Sequence, residues 1–152
     1  MERTLLRVAP TTPLTARAAT GAWFLAVGAG VAESILALSL AIHDGAPVLG
    51  LVAQVALRTI LYGALFVVID RYFRRGVPWS RWLLTLLLGT VGMASLLTEP
   101  ISWLTNHSLG DLSFTPLFGA EVLLRTIHVL AVVAACALTL HPDTTAWFRR
   151  DR

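Results

Sequence analysis

Four long apolar blocks, at residues 18–42, 48–69, 82–98 and 115–140, constrain this chain more than any other feature. The hydrocarbon of a bilayer is about 30 Å thick and an α-helix rises about 1.5 Å per residue, so roughly 20 apolar residues make one crossing. Each block is near that length. Only helices and closed barrels satisfy every backbone polar group in lipid, and the blocks lack the apolar–polar alternation of barrel strands. Composition agrees: 14% of residues are charged and 56% hydrophobic, against about a quarter charged in a soluble domain. A soluble chain of 152 residues could close one core, but here lipid accounts for the apolar residues. The expected fold is all-α, a four-transmembrane-helix bundle forming a single membrane domain. Residues 1–17 are its first segment, 99–114 its longest loop and 141–152 its tail. Ser39-Leu40-Ala41 has the small-residue pattern of a signal cleavage site, but the apolar run before it is too long for a signal peptide and contains Glu33. A retained first helix is expected.

The basic residues orient the bundle. All twelve are arginine, in a chain of net charge +3. Arg3, Arg7 and Arg17 precede the first block, Arg71, Arg74, Arg75 and Arg81 fill the second connection, and Arg149, Arg150 and Arg152 end the chain. The first and third connections hold Asp44, Asp111 and, at the edge, Glu99, with no arginine. Basic loops stay in the cytoplasm, which predicts both termini inside. Juxtamembrane placement explains these arginines through the membrane and its anionic lipids, and excludes nucleic acid as a partner. The exclusive use of arginine fits a GC-rich bacterial genome and so a bacterial cytoplasmic membrane. Tyr72, Phe73, Trp79, Trp82 and Trp147 flank the inner surface and Trp103 the outer one, as an interfacial aromatic belt.

The chain also repeats itself. His43-Asp44-Gly45-Ala46-Pro47 is a run of helix breakers that makes the first two helices an antiparallel hairpin. Gln54-Val55-Ala56-Leu57-Arg58-Thr59-Ile60 in the second block matches Glu121-Val122-Leu123-Leu124-Arg125-Thr126-Ile127 in the fourth at five of seven positions. Tyr72-Phe73-Arg74-Arg75 and Trp147-Phe148-Arg149-Arg150 follow them, and Glu33 and Glu99 take similar places in the first and third helices. The pattern predicts two tandem hairpins in parallel repeat about an axis along the membrane normal.

Function should lie where charge enters the membrane. Each ionisable group in hydrocarbon costs at least ~2.5 kcal/mol, so Arg58 and Arg125 need partners. Glu121, Arg125 and His128 share a face of the fourth helix, and Gln54, Arg58 and Tyr62 one of the second. On the first helix Ala18, Ala22, Ala26, Ala29, Glu33 and Ala37 form a small-residue stripe of the kind that faces other helices. Thr85, Gly89, Gly92 and Ser95 lead along the third towards Glu99. The expected site is a polar seam with Arg58 and Arg125 near mid-membrane and Glu33, Glu99 and Glu121 in the outer half. It opens outward, and a buried carboxyl in it can take up a proton near neutrality.

Three function classes fit such a seam. One is proton-linked transport or binding of a small solute, using Glu33, Glu99 and Glu121 with Arg58 and Arg125 as a proton-linked or anion-binding site beside Gln54, Tyr62 and His128, with a homodimer supplying the path. In size, helix number and a first-helix glutamate the chain is similar to small multidrug exporters, though it shares no motif with them. Another is an embedded acid/base enzyme acting on a prenyl, sterol-like or polyketide substrate through Glu33 and Glu121. The remaining class is an accessory or assembly subunit of a larger membrane complex, with the charges serving only as glue between helices. Bis-histidine haem would need two intramembrane histidines, but His43, His107 and His141 lie at ends or in loops. The single Cys136 cannot form an internal disulfide. Neither metal nor cofactor is expected, and no phosphate loop, zinc-protease or nucleophile-elbow motif occurs.

Overall fold

The computed structural model describes residues 11–106 and 115–150, with the side chain of Glu99 outside the description. The positions expected to matter at Arg3, Arg7, His107, Asp111 and Arg152, with most of the long loop, also lie outside the described residues. Among the described residues the chain is all-helical, with four helices long and apolar enough to span a membrane. These are α1 (Leu14–His43), α2 (Val48–Phe73), α3 (Pro78–Asn106) and α4 (Pro116–Leu140), followed by the short α5 (Pro142–Phe148).

Local chemistry sets the helix ends. Pro78, Pro116 and Pro142 open α3, α4 and α5, where the missing N–H is no loss. Thr115 caps α4 by accepting the Phe118 N–H at 3.1 Å. Hydropathy marks the crossing rather than the helix, so α1 begins before its apolar block and α3 overruns its block at both ends. Residues 99–106, expected to begin the long loop, are helical, and Pro100 sits inside α3. Prolines are tolerated inside membrane helices because neighbouring groups re-satisfy the freed carbonyl.

Burial is concentrated at one end of the bundle, the end that carries the arginines. Trp23, Ile69, Phe73 and Leu84 are completely buried there, joined by Ala19, Ala26, Val132 and Ala135. The buried positions on α1 are Ala16, Ala19, Trp23, Ala26, Val27, Ala29 and Gly30, and within them Ala16, Ala19, Trp23, Ala26 and Gly30 run three, four, three and four residues apart. That is the heptad-like period of helices that wind around each other. The expected small-residue line agrees with it at Ala26 and Ala29, but its mean step is longer and it drifts off the interface, leaving Ala18 and Ala37 exposed. Small side chains let a neighbour approach, and α1 packs most extensively against α4 rather than against its hairpin partner α2. The Trp23 Nε1–H crosses this interface to Thr139 Oγ1 at 3.0 Å.

Wide helical turns complete the closed end. Over Val68–Phe73 the backbone is a π-helix, and the Arg74 N–H bonds the Ile69 carbonyl five residues back. Widening the turn brings every fourth residue nearer to alignment, so Leu65, Ile69 and Phe73 all face the core. The tail then folds back: α5 buries Phe148, whose ring lies 5.1 Å from Phe73. Phe73 is therefore a core residue and not part of the interfacial belt. Trp147 packs on Gly76, whose φ of 77° suits glycine and where a Cβ would come within 3.0 Å of the indole.

Candidate functional site

Gly30 is the pivot of the polar seam. A Cβ at this position would lie 3.0 Å from His128 Cε1 of α4 and 3.1 Å from the Tyr62 hydroxyl of α2, so a glycine is what lets both helices press on α1. One turn further along α1, Glu33 and Ser34 share this face and diverge by about 100°. Glu33 points to α4, where its Oε1 lies 3.6 Å from His128 Nδ1. Ser34 points to α2.

The α2 side is a compact hydrogen-bonded group. The Ser34 hydroxyl reaches the Gly30 carbonyl at 2.8 Å, as serines in helices do. The Tyr62 hydroxyl reaches the same carbonyl at 2.9 Å and stands 2.9 Å from Ser34 Oγ. Two hydroxyl protons thus serve three close contacts. Nη1 of Arg58 donates to the Ser34 carbonyl at 3.3 Å. A guanidinium carries five N–H donors, so this bond occupies only a part of it.

On the α4 side the arrangement is unfinished. Glu33 Oε1 and His128 Nδ1 are both buried and neither makes a hydrogen bond. At 3.6 Å they face each other just beyond bonding distance. Each atom is a competent proton acceptor or, once protonated, a donor.

Next to this group, α1 and α2 flank a cleft of about 380 Å³. Val31, Ile35, Leu38 and Val55 are part of its predominantly apolar lining, and Ser34, Arg58, Thr59 and Tyr62 contribute a small polar floor. The polar floor stands one residue along α1 from Glu33. A few polar groups converging in a mostly apolar cavity are the usual make-up of a small-molecule site.

Of the eight residues expected in the seam, Glu33, Arg58, Tyr62 and His128 come together around Gly30. Glu121 and Arg125 are half-buried on α4, two turns and one turn beyond His128, and Gln54 is exposed one turn beyond Arg58. Glu99 is not placed by its side chain. Glu33 faces His128, while Arg58 is met by the backbone carbonyl of Ser34. Sequence reasoning missed Gly30 and Ser34. Their signal was a Gly and a Ser at i and i+4 on the glutamate's helix, a pattern that looks like ordinary close packing. Among the described residues no cluster of metal-ligating side chains occurs.

Comparisons with protein-family models, with curated proteins and with solved structures found no match to this chain.

Proposed function

We propose that this chain is a proton-linked binding or transport protein for a small, largely apolar solute with an acidic head. The cleft between α1 and α2 takes the solute's apolar body, and Arg58, with Ser34 and Tyr62, receives its acidic group. Glu33 and His128 carry the proton. The observation behind this reading is the pair of buried, unbonded polar atoms of Glu33 and His128, one residue along α1 from a cleft whose floor holds a cation. A proton shared by Glu33 and His128 draws them into a hydrogen bond. That movement shifts α1 at Gly30 and so reshapes the cleft wall at Ser34.

Two features of topology belong to the same proposal. The arginine-rich end lies in the cytoplasm, supported by Arg71, Arg74, Arg75, Arg81, Arg149 and Arg150 at that end. The cleft then opens towards the outer half of the membrane, in keeping with a cytoplasmic-membrane location. The two hairpins are a tandem repeat, supported by the paired Leu-Arg-Thr-Ile segments and by the way Tyr62 and His128 close on Gly30 from α2 and α4.

The test uses the full chain in lipid nanodiscs with a dansyl-labelled undecanoate as probe. Saturable binding that changes with pH is expected. Arg58→Gln weakens it at every pH by about tenfold, as loss of a charge-assisted hydrogen bond implies, and Glu33→Gln removes the pH dependence. Absence of saturable binding at all pH values, together with no proton movement in proteoliposomes given a pH gradient and the probe, overturns the reading.

A further inference from the structure

Arg81 is the only charged side chain among the described residues that is classed as buried, with 8% of its surface exposed. It lies in the first turn of α3, at the arginine-rich end, and its cover is shallow, formed by two rings. The guanidinium carbon stands 4.8 Å from the Trp82 ring centre and 5.9 Å from that of Phe148. Its Nε is buried and makes no hydrogen bond. Arg149 directly follows Phe148, whose ring lies 5.9 Å from the Arg81 guanidinium carbon, and this brings the two positive charges near enough to repel. Among the described residues neither guanidinium forms an ion pair with a carboxylate.

The other arginines at this end show that the arrangement is not forced. Arg74 pairs with Asp70 at 2.5 Å. Arg150 donates to the Trp147 carbonyl at 3.2 Å and lies over the Trp147 ring at 5.2 Å. A covered guanidinium beside a second cation, with no acid to answer it, is unfavourable by itself. Ring contacts with Trp82 and Phe148 offset part of that cost. An anion able to accept from both arginines removes the rest, and phosphate matches the guanidinium fork.

We propose that Arg81 and Arg149 form a binding site for the phosphate group of an anionic phospholipid headgroup. The place suits a lipid. Trp82 is 53% exposed beside Arg81, and Tyr72 and Trp79 stack at 4.9 Å at the same end. Such aromatics mark the level of the headgroups, so a phosphate between the two arginines leaves its acyl chains lying along the apolar surface of α3. A zwitterionic headgroup fits less well, since its ammonium meets the same two cations. The lipid would also tie α3 to the tail, because Arg81 and Arg149 belong to different elements. This inference stands apart from the cleft of α1 and α2 and does not depend on it.

The experiment takes the full chain in neutral detergent and measures retained lipid by native mass spectrometry and the thermal midpoint by fluorescence. Dioleoyl phosphatidylglycerol, dioleoyl phosphatidylcholine and inorganic phosphate are compared at matched concentration. Phosphatidylglycerol is expected to be retained and to raise the midpoint, and the other two to do neither. Arg149→Gln, an exposed position whose loss leaves the core intact, is expected to weaken retention about tenfold, the effect of removing one charge-assisted contact. Arg75→Gln, equally exposed on the same end, should leave it unchanged. Equal losses from Arg75→Gln and Arg149→Gln, or equal retention of the two lipids, would overturn the proposal in favour of diffuse surface charge. An equal midpoint shift from inorganic phosphate overturns the lipid as source and leaves a site for a soluble phosphate. Arg81→Gln adds support only if its midpoint without lipid matches or exceeds that of the parent chain.

Discussion

At the arginine-rich end Trp23, Ile69, Phe73 and Leu84 lose all contact with their surroundings, whereas Leu49, Leu57 and Ile60 towards the far end of α2 remain 68–82% exposed. Both regions are made of the same kinds of apolar side chain. The difference lies in what replaces lipid. At the closed end small residues on α1, wide turns in α2 and the returning α5 allow close approach, so side chains exchange lipid contacts for denser protein contacts. At the far end helix association has no hydrophobic drive, since lipid tails are as apolar as leucine. There α1 and α2 are held by the short turn at Asp44 and Gly45 and by the hydrogen bonds around Gly30, Ser34 and Tyr62.

This contrast can be tested most sharply at Trp23. Trp23→Ala should cost about 3–5 kcal/mol, the range for emptying a large aromatic site, while Leu57→Ala at the lipid-facing side should stay within about 0.5 kcal/mol. Unfolding in mixed micelles with rising dodecyl sulfate reads both, and similar losses at the two positions would dissolve the distinction between the ends. The junction between them comes next. Gly30→Leu should lose about 1–3 kcal/mol through overpacking against Tyr62 and His128 and should also abolish probe binding. Gly28→Leu, with open space around its Cβ, should leave both unchanged, and a comparable loss there would remove Gly30 from its role as pivot.

Smaller effects distinguish the hydrogen bonds. Tyr62→Phe and Thr139→Val each remove one hydroxyl that bridges helices, and each is expected to cost about 0.6 kcal/mol, the mean for such bonds in membranes. Tyr62→Phe should further increase hydrogen exchange in the turns of α1 and α2 nearest Gly45, and Thr139→Val should not. The reverse pattern would place the flexible region at the wrong end. The smallest change is expected from Gln54→Leu, an exposed position on α2, which should fall within about 0.5 kcal/mol in stability and leave probe affinity as it was. A large loss of affinity would extend the site one turn further out than the cleft's polar floor.

Much of the site was legible because burying charge in lipid is costly enough to make every intramembrane polar residue informative. Glu33, Arg58, Tyr62 and His128 stand out for that reason alone. Their partners did not, because helical periodicity places residues on a face without saying which neighbour that face meets. The observed proximity of Glu33 to His128 depends on Gly30 allowing α4 to approach, and a glycine in a membrane helix carries no sign of its partner. The tail was hidden for a similar reason. Trp147 and Phe148 read equally well as interfacial anchors and as a plug, and only the turn at Gly76 and the ring of Phe73 select the plug for Phe148.

Block length and polarity in the sequence alone determined the all-helical class and the number of helices apolar enough to cross a membrane. These follow from the thickness of hydrocarbon and the cost of unbonded backbone within it, which act on each segment separately. The tertiary structure decided which helices touch, that α1 lies chiefly along α4, that burial is concentrated at one end, and that a cleft forms beside Arg58. Those outcomes depend on differences of a few contacts between faces that are equally apolar, and no segment contains that information by itself.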